Sequence, residues 1–134
     1  MRTDRELLEL AARANWAQEV ADDEISLRYC EINDGILYLH ADNQDHNGRD
    51  REFVWNPLTD DGDALRLAVK LSLRVEARPD GHIYVWSGEY LIWRDFAFNE
   101  HVDHEREAAM RRAIVNTAAE IGAHPKQHND GGAE

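Results

Sequence analysis

The chain has 134 residues, 43% of them hydrophobic, and carries 15 Lys and Arg against 27 Asp and Glu for a formal net charge of −12. That length suits one domain with a real core and is short for two. The acidic balance leaves no basic stripe to neutralise phosphates, which argues against direct nucleic-acid binding and against an anionic membrane surface.

A single cysteine, Cys30, excludes an internal disulfide and a multi-cysteine zinc site, and its place in a β-rich segment predicts a small buried hydrophobe. No apolar run approaches the roughly eighteen residues of a membrane span, and the opening Met1-Arg2-Thr3-Asp4-Arg5 is too charged for a signal-peptide core. The expectation is a cytoplasmic protein without a membrane partner.

In chain order, Thr3 and Glu6 form a capping box. Leu7, Leu10, Ala11 and Ala14 then repeat on one face, predicting an amphipathic helix over 4–15 with Trp16 as an anchor at its end. Asp22, Asp23 and Glu24 read as a solvated acidic loop. The β-rich runs 25–32 and 36–40 flank Asn33-Asp34-Gly35, residues that tolerate positive φ, so a hairpin is expected. The polar stretch 41–51 reads as the longest exposed loop, the kind of segment where binding is often placed.

Pro57 fixes its own φ and holds Asn56 extended, so the chain turns before Thr59 or Asp60 caps a helix over 59–72. Asp63, Arg66, Lys70 and Arg74 form one narrow polar stripe, and the remaining circumference is apolar. That pattern predicts a central helix packed on a sheet with only the charged stripe reaching water, and with Leu65, Leu67, Ala68 and Leu71 in the core.

Beyond it, 74–78 and 82–87 are strands joined by the turn Pro79-Asp80-Gly81, with His82, Tyr84 and Trp86 on one face and Ile83 and Val85 in the core. Gly88 leads into a third strand over 90–98, completing an antiparallel meander. The last helix is expected over 104–121, with Ile114 and Ile121 in the core, Gly122 as its left-handed C′ residue and His124-Pro125 as the stop. Residues 123–134 lack apolar content and read as a disordered tail after a domain spanning 1–122. The order α-β-β-α-β-β-β-α gives an α+β class, an α/β/α-type sandwich with a mostly antiparallel sheet covered by helices.

The runs WNPLTDDGDALRLAVKL, RPDGHIYVW and RRAIVNTAAEIG resemble the small phage and prophage proteins of the phage ABA sandwich domain family, over about residues 55–122. The resemblance implies a layered α/β/α sandwich and a phage or prophage origin. It assigns no activity and no catalytic residue.

Three constellations carry possible chemistry. The loop His40-Ala41-Asp42-Asn43-Gln44-Asp45-His46-Asn47-Gly48 is dense in metal-ligand atoms, but a calcium loop starting at Asn43 needs a Glu at the twelfth position, where Val54 stands. Asp45-His46 matches the start of a ββα-metal nuclease, yet no histidine follows on the next helix. His101 and His104, with Asp103 and Glu105 between and beside them, offer two zinc ligands and lack a local third. Tyr84 and Trp86, with Tyr90 and Trp93, read as core aromatics, or alternatively as a sheet face open to a partner. Glu76, Glu89 and Asp95 give that meander the wrong sign for nucleic-acid stacking.

The functional expectation is a small phage-encoded accessory protein that is non-enzymatic, uses no cofactor and binds a host or phage protein, with a homodimer as one further form of association. Its partner surface is expected at Asp22, Asp23, Glu24, Asp42 and Asp45, or at Tyr84 and Trp86. Two alternatives stand beside it: a metal-dependent hydrolytic enzyme using His40, Asp42, Asp45, His46, His101 and His104, and an acidic nucleic-acid mimic that blocks a DNA-binding host protein.

Overall fold

The computed structural model describes residues 2–40, 53–96 and 103–124, with the side chains of 95, 96 and 103–105 outside that description. The elements are α1 (Asp4–Asn15), α2 (Ala17–Ala21), β1 (Ile25–Cys30), β2 (Gly35–His40), β3 (Phe53–Trp55), α3 (Asp61–Lys70), β4 (Leu73–Ala77), β5 (His82–Ser87), β6 (Tyr90–Phe96) and α4 (Asp103–Ala123). The class is α+β, as expected. The strands form two antiparallel three-stranded sheets, β1-β2-β3 and β4-β5-β6. Two elements escaped the sequence reading: the short helix α2, and β3, whose pairing with β2 completes the first sheet.

Each sheet packs on its own helix. α1 lies against β1 and β2, α4 lies against β5 and β6, and the α1–α4 pairing, the most extensive between helices, joins the two halves. Leu7, Leu8, Ala11 and Ala12 of α1 meet Val115, Ala118 and Ala119 of α4 in one core, closed by Trp16, Ile36 and Trp55. The alanines let the two helices approach closely. Trp16 contacts both Tyr38 and Trp55, with ring centroids 4.8 and 5.0 Å away, and so anchors α1 to the first sheet as expected.

Gly122 is the point where the sequence reading of α4 fails. The helix continues through Ala123, and a Cβ on Gly122 would collide with the carbonyl oxygen of Leu10. The glycine is there to let α4 cross α1. Gly35 has a similar role in the first sheet, since a Cβ would lie 2.8 Å from the Trp55 carbonyl oxygen, and the positive φ of the hairpin falls on Asp34 instead.

The turn before α3 holds the fold together through polar contacts. Asn56 is buried; its side-chain NH2 donates to the Asp34 carbonyl, its Oδ1 accepts from Leu58 N at 2.9 Å, and its own N–H donates to Asp63 Oδ2 at 2.9 Å. From the other side, Arg111 of α4 donates to the Leu58 carbonyl at 2.8 Å and to Asp61 Oδ1 at 2.6 Å. One asparagine thus ties the β1–β2 turn to the start of α3, and one arginine ties α4 to the same place. Asp60 is the N-cap, accepting from Asp63 N at 2.7 Å.

α3 itself is not the buried central helix that its composition predicts. It packs on α4 and β4 through Ala64, Leu67 and Ala68, but Leu65 is 64% exposed and Val69 70% exposed. It also ends at Lys70, because Ser72 takes φ +55° and β4 begins at Leu73. Leu71 and Ile121, expected in the core, are half-buried, whereas Leu67, Ala68, Ile83, Val85 and Ile114 are buried as predicted. Cys30 is free and half-buried rather than fully enclosed.

Candidate functional site

On the second sheet, Ile83 and Val85 point inward onto Ala113 of α4, with Leu73, Val75 and Trp93 packed around them. Side chains alternate along a strand, so His82, Tyr84 and Trp86 stand on the opposite face, which no helix covers among the described residues. Their rings stack in sequence: His82 on Tyr84 at 6.1 Å and 21°, and Tyr84 on Trp86 at 5.7 Å and 25°.

The antiparallel register brings charge to this ladder. Arg74 pairs with Trp86 and Glu76 with Tyr84 on one side, and Arg94 pairs with Tyr84 on the other. The Arg74 guanidinium lies 3.9 Å from the Trp86 ring centre, and that of Arg78 lies 4.2 Å from Tyr84. Arg78 also pairs with Glu76 at 2.8 Å, and this hydrogen bond, more than any other influence, raises the arginine pKa. Glu76 is thereby occupied. Arg74 and Arg94 make no ion pair with any described residue.

At the end of the ladder, Asp80 accepts from the His82 backbone N–H at 3.1 Å and lies 3.0 Å from its Nδ1. The backbone hydrogen bond is the main reason that the Asp80 carboxyl sits below its ordinary pKa.

Strands β4 to β6, with Arg78 just past the end of β4, therefore present three arginines, one glutamate and three stacked rings on one face, in a chain whose net charge is −12. This corrects the wrong-sign expectation drawn from Glu76, Glu89 and Asp95. Because guanidinium groups already cover faces of Tyr84 and Trp86, the surface offers N–H donors and ring edges to a partner more readily than free ring faces for bases to stack on.

The other predicted positions lie elsewhere. Asp22, Asp23 and Glu24 form an exposed turn between α2 and β1, where Asp23 takes φ +57° and Asp22 accepts from Gln18 Nε2 at 2.8 Å. His40 ends β2, half-buried, with its ring 6.1 Å from Tyr38. Asp42, Asp45, His46 and His101 fall outside the described residues, as does the side chain of His104 in the first turn of α4. Among the described residues, no three His, Cys, Asp or Glu side chains are grouped to hold a metal. Among the same residues, no helix is long and apolar enough to cross a membrane.

No family model, curated protein or solved structure matches the chain. The arginines are the part of the site that sequence reasoning missed. The signal was present: a tight turn at Pro79-Asp80-Gly81 fixes which residues face each other, and Arg74-x-Glu76-x-Arg78 then falls beside His82-x-Tyr84-x-Trp86.

Proposed function

We propose that this chain is a small phage- or prophage-encoded accessory protein, non-enzymatic, that acts by binding another protein through the outer face of the β4-β5-β6 sheet. The phage origin rests on the family resemblance of the three runs quoted above. The observation that carries the binding reading is the stacked His82-Tyr84-Trp86 ladder flanked by Arg74 and Arg94, which no described carboxylate pairs. Tyr, Trp and Arg are the residues that most often dominate protein interfaces: the two aromatics bring large area with few rotors to freeze, and arginine brings directed donors on a planar guanidinium. The partner that fits is an extended or helical segment bearing a carboxylate, set against the arginines, next to an apolar side chain packed on the ring edges.

A display library of random peptides tests this. The expected outcome is enrichment of peptides with Asp or Glu beside an apolar residue, and their loss with the Arg74→Ala, Trp86→Ala double variant. Enrichment of basic peptides that survives this double variant and disappears on neutralising Asp22, Asp23 and Glu24 would favour the second reading instead. That reading is an acidic surface that docks on a basic host protein, in the manner of a nucleic-acid mimic, and the exposure of that turn supports it.

A further inference from the structure

β4 is an edge of the second sheet, with β5 on one side and no strand on the other among the described residues. The Arg78 N–H donates to the His82 carbonyl at 2.8 Å, and in an antiparallel ladder such bonded pairs recur at every second residue, so Glu76 and Arg74 also turn their backbone groups to β5. The N–H and C=O groups of Val75 and Ala77 therefore point away from the sheet, where no described residue bonds them. The pleat sorts what lies on either side of this edge. On the outer face stands Arg74, which makes no ion pair, over the ring of Trp86. On the inner face Val75 and Ala77 open on a trough of about 620 Å³, lined further by Ala64 and Ala68 of α3 and by Met110 and Ile114 of α4.

We propose that β4 accepts an extended segment of the partner as an additional strand, with an acidic side chain set against Arg74 and the apolar side chains on either side of it seated in the trough. The inference rests on the binding reading above and deepens it, by giving the partner a conformation and an alternating sequence. A strand laid about 4.8 Å from β4 satisfies the outward backbone groups of Val75 and Ala77 at once, and its side chains then alternate between the two faces. The one beside Arg74 meets an unpaired guanidinium, which favours a carboxylate. Its neighbours turn inward, where an apolar lining favours Val, Ile or Leu. Beside Glu76 the strand needs no base, because Arg78 already holds that carboxylate at 2.8 Å. A helix in the same trough would leave the edge groups unbonded, and a small apolar molecule would leave Arg74 unused. Extended chain uses edge, charge and trough together, and β4 has neither a proline nor a bulge to block it.

The probe is a synthetic peptide, acetylated and amidated, of alternating Val and Thr with its central Thr replaced by Glu, titrated into the full chain and followed by NMR. In the free chain the amides of Val75 and Ala77 should exchange freely with solvent, and saturation with peptide should protect both. Lys in place of the peptide's Glu should weaken binding about tenfold or more, by loss of a charge-assisted bond. N-methylation should divide the peptide's amides into two alternating sets, one that abolishes binding and one that leaves it, because a strand turns only every second N–H toward its neighbour. The sensitive set is the Val amides if the added strand is antiparallel, and the Thr and Glu amides if it is parallel. An Ala77→Pro variant removes one outward donor. Since that N–H bonds nothing in the free chain, the variant should keep the far-UV spectrum and lose the peptide.

Protection of the Val75 and Ala77 amides in the free chain would show that the edge is already taken, by a second copy or by another part of the chain, and overturns the inference. A peptide that does not bind at about 1 mM overturns it too, as does one that binds without protecting the two amides or without alternation in its N-methyl series. The failures are separable. Display-selected peptides that need Arg74 and Trp86 but leave these two amides unprotected sustain the sheet-face reading and refute strand addition, whereas a display without any peptide dependent on Arg74 and Trp86 refutes the reading, and strand addition with it.

Discussion

Gly122 of α4 lies so close to the backbone of Leu10 in α1 that a single Cβ would collide with the carbonyl oxygen of Leu10. The obstacle is backbone, which cannot rotate away as a side-chain end does. Gly122→Ala should therefore force α1 and α4 apart and cost about 1–3 kcal/mol, the range for overpacking a close contact. Gly62→Ala should do the reverse. Gly62 lies in the first turn of α3, and the nearest atom to its Cβ is the end of the Arg66 side chain, at 3.0 Å. Alanine there should be neutral or stabilise by up to about 1 kcal/mol through helix propensity. Denaturant titration of the two variants beside wild type gives both signs in one experiment.

Leu67 and Leu65 stand two residues apart on α3, one with no exposed surface and the other 64% exposed. Leu67→Ala should lower stability by about 2–5 kcal/mol, as for a buried leucine in a packed core. Leu65→Ala should change the stability of the single copy by less than about 0.5 kcal/mol. Equal effects at the two positions, measured in dilute solution, would show that α3 is buried on both sides.

Trp16, Trp55 and Trp86 should divide in the same way. Trp16 and Trp55 are buried at the junction of α1 with the first sheet, and either one changed to Ala should cost about 3–5 kcal/mol. Trp86 is half-buried on the outer face of the second sheet, where Arg74 covers its ring. Trp86→Ala should cost well below either of those, the cation–π contact being about 0.5–1 kcal/mol. Thermal melts followed by circular dichroism would rank them.

Acid should weaken the fold from its N-terminal cap. The Glu6 carboxyl is held below its ordinary value of 4.5, first by the Thr3 backbone N–H and then by the Thr3 side chain. A folded pKa below the unfolded one means that the group contributes above the unfolded value and that this contribution is lost as pH falls through the folded one. The loss thus falls below pH 4.5. Glu6→Gln, which retains a capping side chain but cannot titrate there, should show a shallower decline of stability on acidification. A decline as steep as that of wild type would mean that other carboxylates alone set the acid limit.

Local structure was legible in the sequence, and for local reasons. Thr3 and Glu6 fix the start of α1, Asp60 caps α3, and Gly81 and Gly88 take the positive φ that their turns need. Alternation on β5 separated Ile83 and Val85, in the core, from His82, Tyr84 and Trp86 on the other face, as found, although Tyr84 and Trp86 lie on the outer face and not in the core where their aromatic character first put them. These features depend on neighbours a few residues away, so residue type and spacing suffice.

The rest required segments far apart in the chain to meet. An apolar circumference on α3 does not say how much of it another element will cover, and Leu65 and Val69 were left in water because α4 and β4 reach only one side of the helix. Gly122 could serve as a helix stop or as a crossing point, and only the arrival of Leu10, from the opposite end of the chain, selects the second. The strands divide into two sheets because α1 and α4, which bear small alanines on their facing sides, pair with each other and leave one sheet to each. The charge of the ladder face likewise follows from register, which placed Arg74 and Arg94 beside rings that an overall excess of acid had made unpromising.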